Sequence, residues 1–263
     1  TKDFLVNYCN FHSNNITELS DSPDIKESGS FFNILKHFKK AQELTRDDFL
    51  YIYFSGHSSR FGENISTEEK EENEEKDVET KEDELELFLP QDWEVNKFTN
   101  KLFIELLKDI KCRCFILFDC CNSGRICKLK YRFDVKKLEE KNYLKKKDME
   151  NNIICISSSS KNKNKFEKFI EKNLINSDKN KFYGELTIFF LQVVKNYLEV
   201  NLSFEELKYE NLITLLNEYL TEVESPEKKS VEYKLKHNVL KNTNLLPVVT
   251  VSNDIFKKTK FLY

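Results

Sequence analysis

The chain has 263 residues, 39% of them hydrophobic and 13% aromatic, enough to bury a core as one generous domain or two small ones. Its 22 Phe and 11 Tyr exclude a disordered chain overall, and only 5 Gly and 4 Pro exclude collagen-like and linker-dominated architectures. No apolar run approaches the ~20 residues of a membrane span, and a net charge of -3 argues against a general nucleic-acid binder, so neither a membrane nor nucleic acid is expected as a partner.

In chain order, Phe31, Ile34, Leu35 and Phe38 recur at helical spacing and predict an amphipathic helix. Asp48 to Phe54 is a short aromatic run that reads as a buried strand reaching a turn at Ser55-Gly56. Residues 68–86 then hold 12 acids against 3 Lys, and the acidic insert 62–86 is expected to be a solvated loop. Phe103, Leu106, Leu107 and Ile110 give a second helix, and Cys114 to Phe118 a second buried strand that ends at the turn Asp119-Cys120-Cys121-Asn122-Ser123-Gly124. The charge then reverses: 128–147 carries 9 basic and 3 acidic residues, and basic loops are expected over 125–150 and 161–182. Asn152 to Ser157 reads as a third strand. Leu186, Phe189, Phe190 and Val193, then Leu212, Leu215, Leu216 and Tyr219, give two more helices, and Val248 to Val251 a last strand. Strands without alternation, interleaved with helices, mean an α/β fold with a mostly parallel central sheet flanked by helices on both faces. A single domain over 1–263 is expected. Because the chain opens on Thr1 rather than Met, it reads as N-terminally incomplete. Seven Cys, an odd number that includes the adjacent pair Cys120 and Cys121, point to a reducing, cytoplasmic setting rather than a disulfide framework.

In open α/β sheets, function gathers at the carboxyl ends of strands. Two such ends hold reactive side chains: Ser55-Gly56-His57 and the Asp119 to Gly124 turn. A thiol becomes nucleophilic when a neighbouring base favours the thiolate, and His is the usual partner. Cys and His at the ends of adjacent parallel strands could meet although 64 residues separate His57 from Cys121, but spacing alone does not make the strands neighbours. Cys112, Cys114, Cys120, Cys121 and Cys127 contain no C-x2-C pair, which leaves zinc without support, and no phosphate-cradling Gly motif is present.

Together, DDFLYIYFSGH, LPQD, CFILFDCCNSG, NIICISSSS, the helix GELTIFFLQVV led by Gly184, and LPVVTVS resemble the caspase-type fold of the metacaspases from about residue 14 to 256. The resemblance implies a cysteine endopeptidase acting on protein or peptide substrates. It matches His57 to the general base and Cys121 to the nucleophile, assigning Cys120 to the variable position. Alternation at a strand end agrees that only one of the pair faces the cleft. The same resemblance implies a substrate pocket with Asp119 and Ser55, hence cleavage after Arg or Lys, which a buried carboxylate suits. It places the oxyanion donors on the backbone N–H groups of Ser58 and Cys121.

Departures from the family pattern carry their own expectations. Ser58 stands where the family has Gly; a positive φ there would cost on the order of 1 kcal/mol and misplace the donor. Positions that match the family's acids read Phe98-Thr99-Asn100-Lys101, Lys128 and Ser157-Ser158-Ser159-Ser160-Lys161-Asn162. Ca²⁺ needs several carboxylate oxygens, so these replacements count against calcium activation, and no metal or other cofactor is expected. Lys145 to Lys147 offer self-cleavage sites. Ser58 and the missing acids also motivate the alternative of a weak or inactive homologue serving as an interaction module.

Overall fold

The computed structural model describes residues 1–60, 86–120, 123, 126–127, 129–134, 139–142, 152–158, 168–170, 181–201, 207–209, 211–216 and 248–252. Its centre is strand β5 (Arg113–Asp119), the run RCFILFD, an unbroken apolar stretch because both of its faces are covered. β1 (Phe49–Ser55) pairs with it in parallel, from Phe49↔Arg113 to Ser55↔Asp119. On its other side β8 (Ile153–Ser157) pairs in parallel, from Cys114↔Ile153 to Phe118↔Ser157. Beyond β8 the sheet continues through β11 (Val248–Val251), β6 (Tyr131–Asp134) and β7 (Glu139–Asn142), each antiparallel to its neighbour, in the order β1-β5-β8-β11-β6-β7. Strands β1, β5, β8 and β6 therefore run one way and β11 and β7 the other. The chain is an α/β protein, and its parallel strands β1, β5 and β8 lie side by side.

Alternation along β5 sends side chains to two cores. Phe115 and Leu117 pack with Leu5 of α1 (Lys2–Tyr8), with Leu186, Phe189, Phe190 and Val194 of α4 (Glu185–Asn201), and with Leu212, Ile213 and Leu216 from the helical residues 211–216. Cys114, Ile116 and Phe118 pack with Phe38 of α2 (Phe31–Ala41) and with Phe103 and Leu107 of α3 (Asn100–Lys108). Helices thus cover both faces. The α2 and α3 starts are held by side chains: Asp92 accepts the Phe31 N–H at 2.7 Å, which pulls its carboxyl below the usual range, and Thr99 Oγ1 accepts the Leu102 N–H at 3.1 Å.

A second, three-stranded sheet sits above this core, ordered β2 (Ser58–Arg60), β3 (Glu86–Phe88) and β4 (Phe98–Thr99). Phe88 anchors it, with ring centroids 5.2 Å from Phe54 of β1, 5.0 Å from Phe118 of β5, 5.4 Å from Phe98 and 5.3 Å from Phe103. Such packing holds the short sheet against the ends of β1 and β5.

Two expected loops are corrected. The basic stretch 125–150 contains β6 and β7, which extend the central sheet, and 161–182 contains β9 (Lys168–Ile170), antiparallel to β10 (Lys181–Tyr183). Charge density misled because β7, β9 and β10 are edge strands, which tolerate, even favour, Lys along them, while β6 has only four residues, too few to show a period. Of the acidic insert 62–86, residues 62–85 lie outside the described residues, while Glu86 opens β3. Lys145 to Lys147 also lie outside them.

Replacing Phe88 by Ala should lower unfolding stability by about 3–5 kcal/mol, whereas Val95→Ala, at an exposed position, should change it by less than about 0.5 kcal/mol. Urea unfolding followed by circular dichroism measures both. Equal midpoints for the two variants would refute the anchoring role.

Candidate active site at the ends of β1 and β5

The β1–β5 register places Ser55 directly beside Asp119 at the carboxyl ends of neighbouring parallel strands, which lie about 4.8 Å apart. The turns bearing His57 and the cysteine pair therefore start side by side. His57 is exposed, and its carbonyl accepts the Leu89 N–H at 3.1 Å. Cys121 lies outside the described residues, between Cys120 and Ser123, which are described.

That His57–Leu89 bond sets the phase of the β2–β3 ladder. Antiparallel pairs alternate between those that exchange backbone bonds and those that do not. The next pair, Ser58↔Phe88, belongs to the second kind, so the Ser58 N–H points away from β3. In the three-stranded sheet that is the outer edge of β2. Among the described residues Asn10 alone, of the non-glycines, has a positive φ, 56°. Ser58 therefore carries no left-handed strain, and the cost foreseen for replacing Gly there does not arise.

Asp119 is buried, 6% exposed, and its Oδ2 accepts both the Thr187 N–H at 2.7 Å and the Thr187 hydroxyl at 2.6 Å. Thr187 is in the first turn of α4, where unpaired amides and the positive end of the helix dipole favour an anion. A carboxylate from the neighbouring sheet thus acts as the cap of α4. The approach requires Gly184, because a Cβ there would stand 2.1 Å from Asp119 Oδ2. The single Thr187 hydroxyl proton goes to Asp119, so the Tyr53 phenol, 2.9 Å away, donates to Thr187 Oγ1. Burial pushes the Tyr53 phenol up from its ordinary value, against hydrogen bonds to Thr187 and Ser55 and with the Asp119 carboxylate adding to the rise. Ser55 and Asp119 are therefore linked through Tyr53 and Thr187 as well as across the ladder. Asp119 was legible as a strand-end acid; the roles of Thr187 and Tyr53 were not.

The loop after β5 is tied to the end of β8. Ser158 N–H donates to the Phe118 carbonyl at 2.9 Å and to Ser123 Oγ at 3.1 Å, and its hydroxyl donates to the Cys120 carbonyl at 2.9 Å. Cys120 itself is 4% exposed and packs in the same core as Phe118, the residue two before it.

Three of the other thiols, Cys9, Cys112 and Cys114, are poor nucleophiles. Burial pushes Cys9 up to about 12 and raises Cys112 and Cys114. Among the described residues no group of His, Cys, Asp and Glu is arranged to hold a metal. Of the positions matching the family's calcium acids, Thr99 caps α3 and Asn100 is buried in its first turn, while Lys128, Lys161 and Asn162 lie outside the described residues. His37 Nε2 lies 2.9 Å from the Glu27 carboxylate.

Gly184→Ala forces the Asp119 carboxylate away from α4 and should destabilise the fold by more than Thr187→Val, which removes one hydrogen bond to a charge at a cost of about 1.5–3 kcal/mol. Thermal unfolding compares the two; a Gly184→Ala variant as stable as wild type would refute the close approach. Separately, iodoacetamide at pH 7.5 should spare Cys9, Cys112 and Cys114 in the folded protein, as read by peptide mass mapping, because their thiolates are scarce there.

Residues 1–130 match the family model described as Metacaspase, peptidase C14 domain. No curated protein matches the sequence. Among solved structures, the crystal structure of protein GSU0716 from Geobacter sulfurreducens is similar, with 15% identity and a TM-score of 0.48 over 90% of this chain and 79% of that one. Both strand ends of the site, Ser55 to Ser58 and Asp119 to Ser123, fall within the family match, and over these residues the chain is metacaspase-like.

Proposed function

We propose that the chain is a cysteine endopeptidase in which His57 and Cys121 form the catalytic dyad. The observation that carries the reading is the parallel β1–β5 register, which brings the His57 turn and the cysteine turn to one end of the sheet. The metacaspase match over residues 1–130 supports a caspase-like cysteine peptidase acting on proteins. Burial of Cys120 in the core favours Cys121 as the reacting thiol.

In this reading His57 takes the proton from Cys121 Sγ, and the thiolate attacks the scissile carbonyl carbon. The oxyanion is held by the N–H of Ser58, which the ladder turns away from β3, and by the N–H of Cys121. Protonated His57 passes its proton to the leaving amine as the C–N bond breaks. Water, losing a proton to His57, then opens the thioester and returns the thiolate. Asp119 and Ser55 would form the floor of a pocket for Arg or Lys, with Thr187 and Tyr53 holding the carboxylate in place. No step uses calcium or another cofactor. A reducing, cytoplasmic setting goes with this reading and rests on the odd cysteine count, seven in the chain. The alternative of an inactive interaction module rested partly on strain at Ser58, and that ground is removed.

Fluorogenic peptides ending in Arg, Lys or Asp, tested with and without Ca²⁺, check the proposal. Cleavage is expected after Arg and Lys, equal in both conditions. It should fall at least about 1000-fold in Cys121→Ala and His57→Ala and stay within about threefold of wild type in Cys120→Ala. Loss of activity in Cys120→Ala with retention in Cys121→Ala would reverse the assignment, and no cleavage by folded wild type would end the peptidase reading.

A further inference from the structure

We infer that Ser158 is a positioning residue for the oxyanion site, acting through its hydroxyl's hold on the carbonyl of Cys120. The inference rests on the peptidase reading above. The Cys120 carbonyl shares one peptide group with the nitrogen of Cys121, the second oxyanion donor in that reading. A peptide group is planar and, when trans, points its N–H opposite its C=O. Whatever holds this oxygen therefore sets the direction in which the donor of the same plane can point.

Ser158 is suited to that task by its place and its own restraints. It follows directly on β8, whose last residue, Ser157, pairs with Phe118. Ser158 and Ser123 are both fully buried, so water does not compete for their hydroxyls. The backbone of Ser158 is held by the Phe118 carbonyl and Ser123 Oγ, at 2.9 and 3.1 Å. Each hydroxyl has one proton to give. The Ser158 proton goes to the Cys120 carbonyl at 2.9 Å, so the 3.3 Å contact between the two hydroxyls is a donation from Ser123 to Ser158. The bonds close a ring, Ser158 N–H to Ser123 Oγ and Ser123 O–H back to Ser158 Oγ, that leaves the Ser158 proton directed at one oxygen. A residue needed only to fill space would serve as well with a methyl group as with a hydroxyl.

The test compares wild type with Ser158→Ala on an Arg-ending fluorogenic peptide, together with the rate at which iodoacetamide alkylates Cys121. Alkylation requires the thiolate but forms no oxyanion. Loss of a whole oxyanion donor costs about 100- to 1000-fold in kcat, so a misdirected donor should lower kcat by about tenfold or more. KM and the alkylation rate should stay within about twofold, because the lost interaction acts only in the transition state. An unchanged kcat overturns the inference and leaves the peptidase reading standing. So does a fall in alkylation that parallels kcat, which would place the effect on the thiol. Wild type that is folded yet cleaves no peptide overturns the peptidase reading and this inference with it. If Ser158→Ala does not fold, Ser158→Cys, with its weak S–H donor, is read against the same expectations.

Discussion

A carboxylate taken out of water has to find its hydrogen bonds elsewhere, and at the end of β5 one residue of another element supplies two of them. Asp119 receives both donors of Thr187, the backbone N–H and the hydroxyl. Those groups lie at the start of α4, where the first turn leaves amides unpaired. The bond therefore satisfies two needs together, a buried charge and a helix start. It also fixes a distance: α4 can sit this close to the sheet only because Gly184 has no side chain. The Tyr53 hydroxyl, donating to the same threonine, carries the link back to β1. Helix α4 and both strands of the candidate site are thus tied through three side chains.

The same logic recurs on the other side of β5. There the loop after the strand is held to the end of β8 by hydroxyls rather than by charges. A buried ion pair would have to overcome a desolvation cost of several kcal/mol per ion. A hydroxyl carries little such cost and, having one proton, gives a bond of defined direction. Buried hydroxyls are thus well matched to orienting a peptide group, while Asp119, the one buried carboxylate among the described residues, is placed where a helix end can stabilise it.

The strands that proved legible in the sequence were those covered on both faces. β1, β5, β8 and β11 read as unbroken apolar runs, and α2, α3 and α4 showed a helical period, because burial imposes those patterns directly. Short or edge elements left no such trace. β2, β3 and β4 have two or three residues each, too few for a period, and β6 and β9 lie in Lys-rich stretches whose charge suggested loops. Ser55, His57 and Asp119 were visible as polar residues closing apolar strands, and the metacaspase resemblance gave them roles. What joins them was not visible. Thr187 is 68 residues from Asp119, Tyr53 134 from Thr187 and Ser158 38 from Cys120. A lone Ser or Thr in a sequence does not disclose which distant oxygen its proton will reach. The run Ser157 to Ser160 could be read there only for the acids it lacks.

The two proposed oxyanion donors reach the site by separate routes, and their agreement depends on the core between them. The Ser58 amide takes its direction from the β2–β3 ladder, which His57 and Leu89 set in phase. The Cys120 carbonyl is held by the Ser158 hydroxyl at the end of β8, the bond inferred above to direct the second donor. Among the described residues no continuous ladder joins the short sheet to the central sheet. Among the described residues, the rings of Phe54, Phe88 and Phe118 pack across the gap between them. Productive sites hold their groups to within about 0.5 Å, and close-packed side chains transmit displacement rather than absorb it. Repacking around Phe88 would therefore move one donor relative to the other even where both local hydrogen bonds survived. The aromatic core under the site is in this sense part of its geometry as well as of its stability.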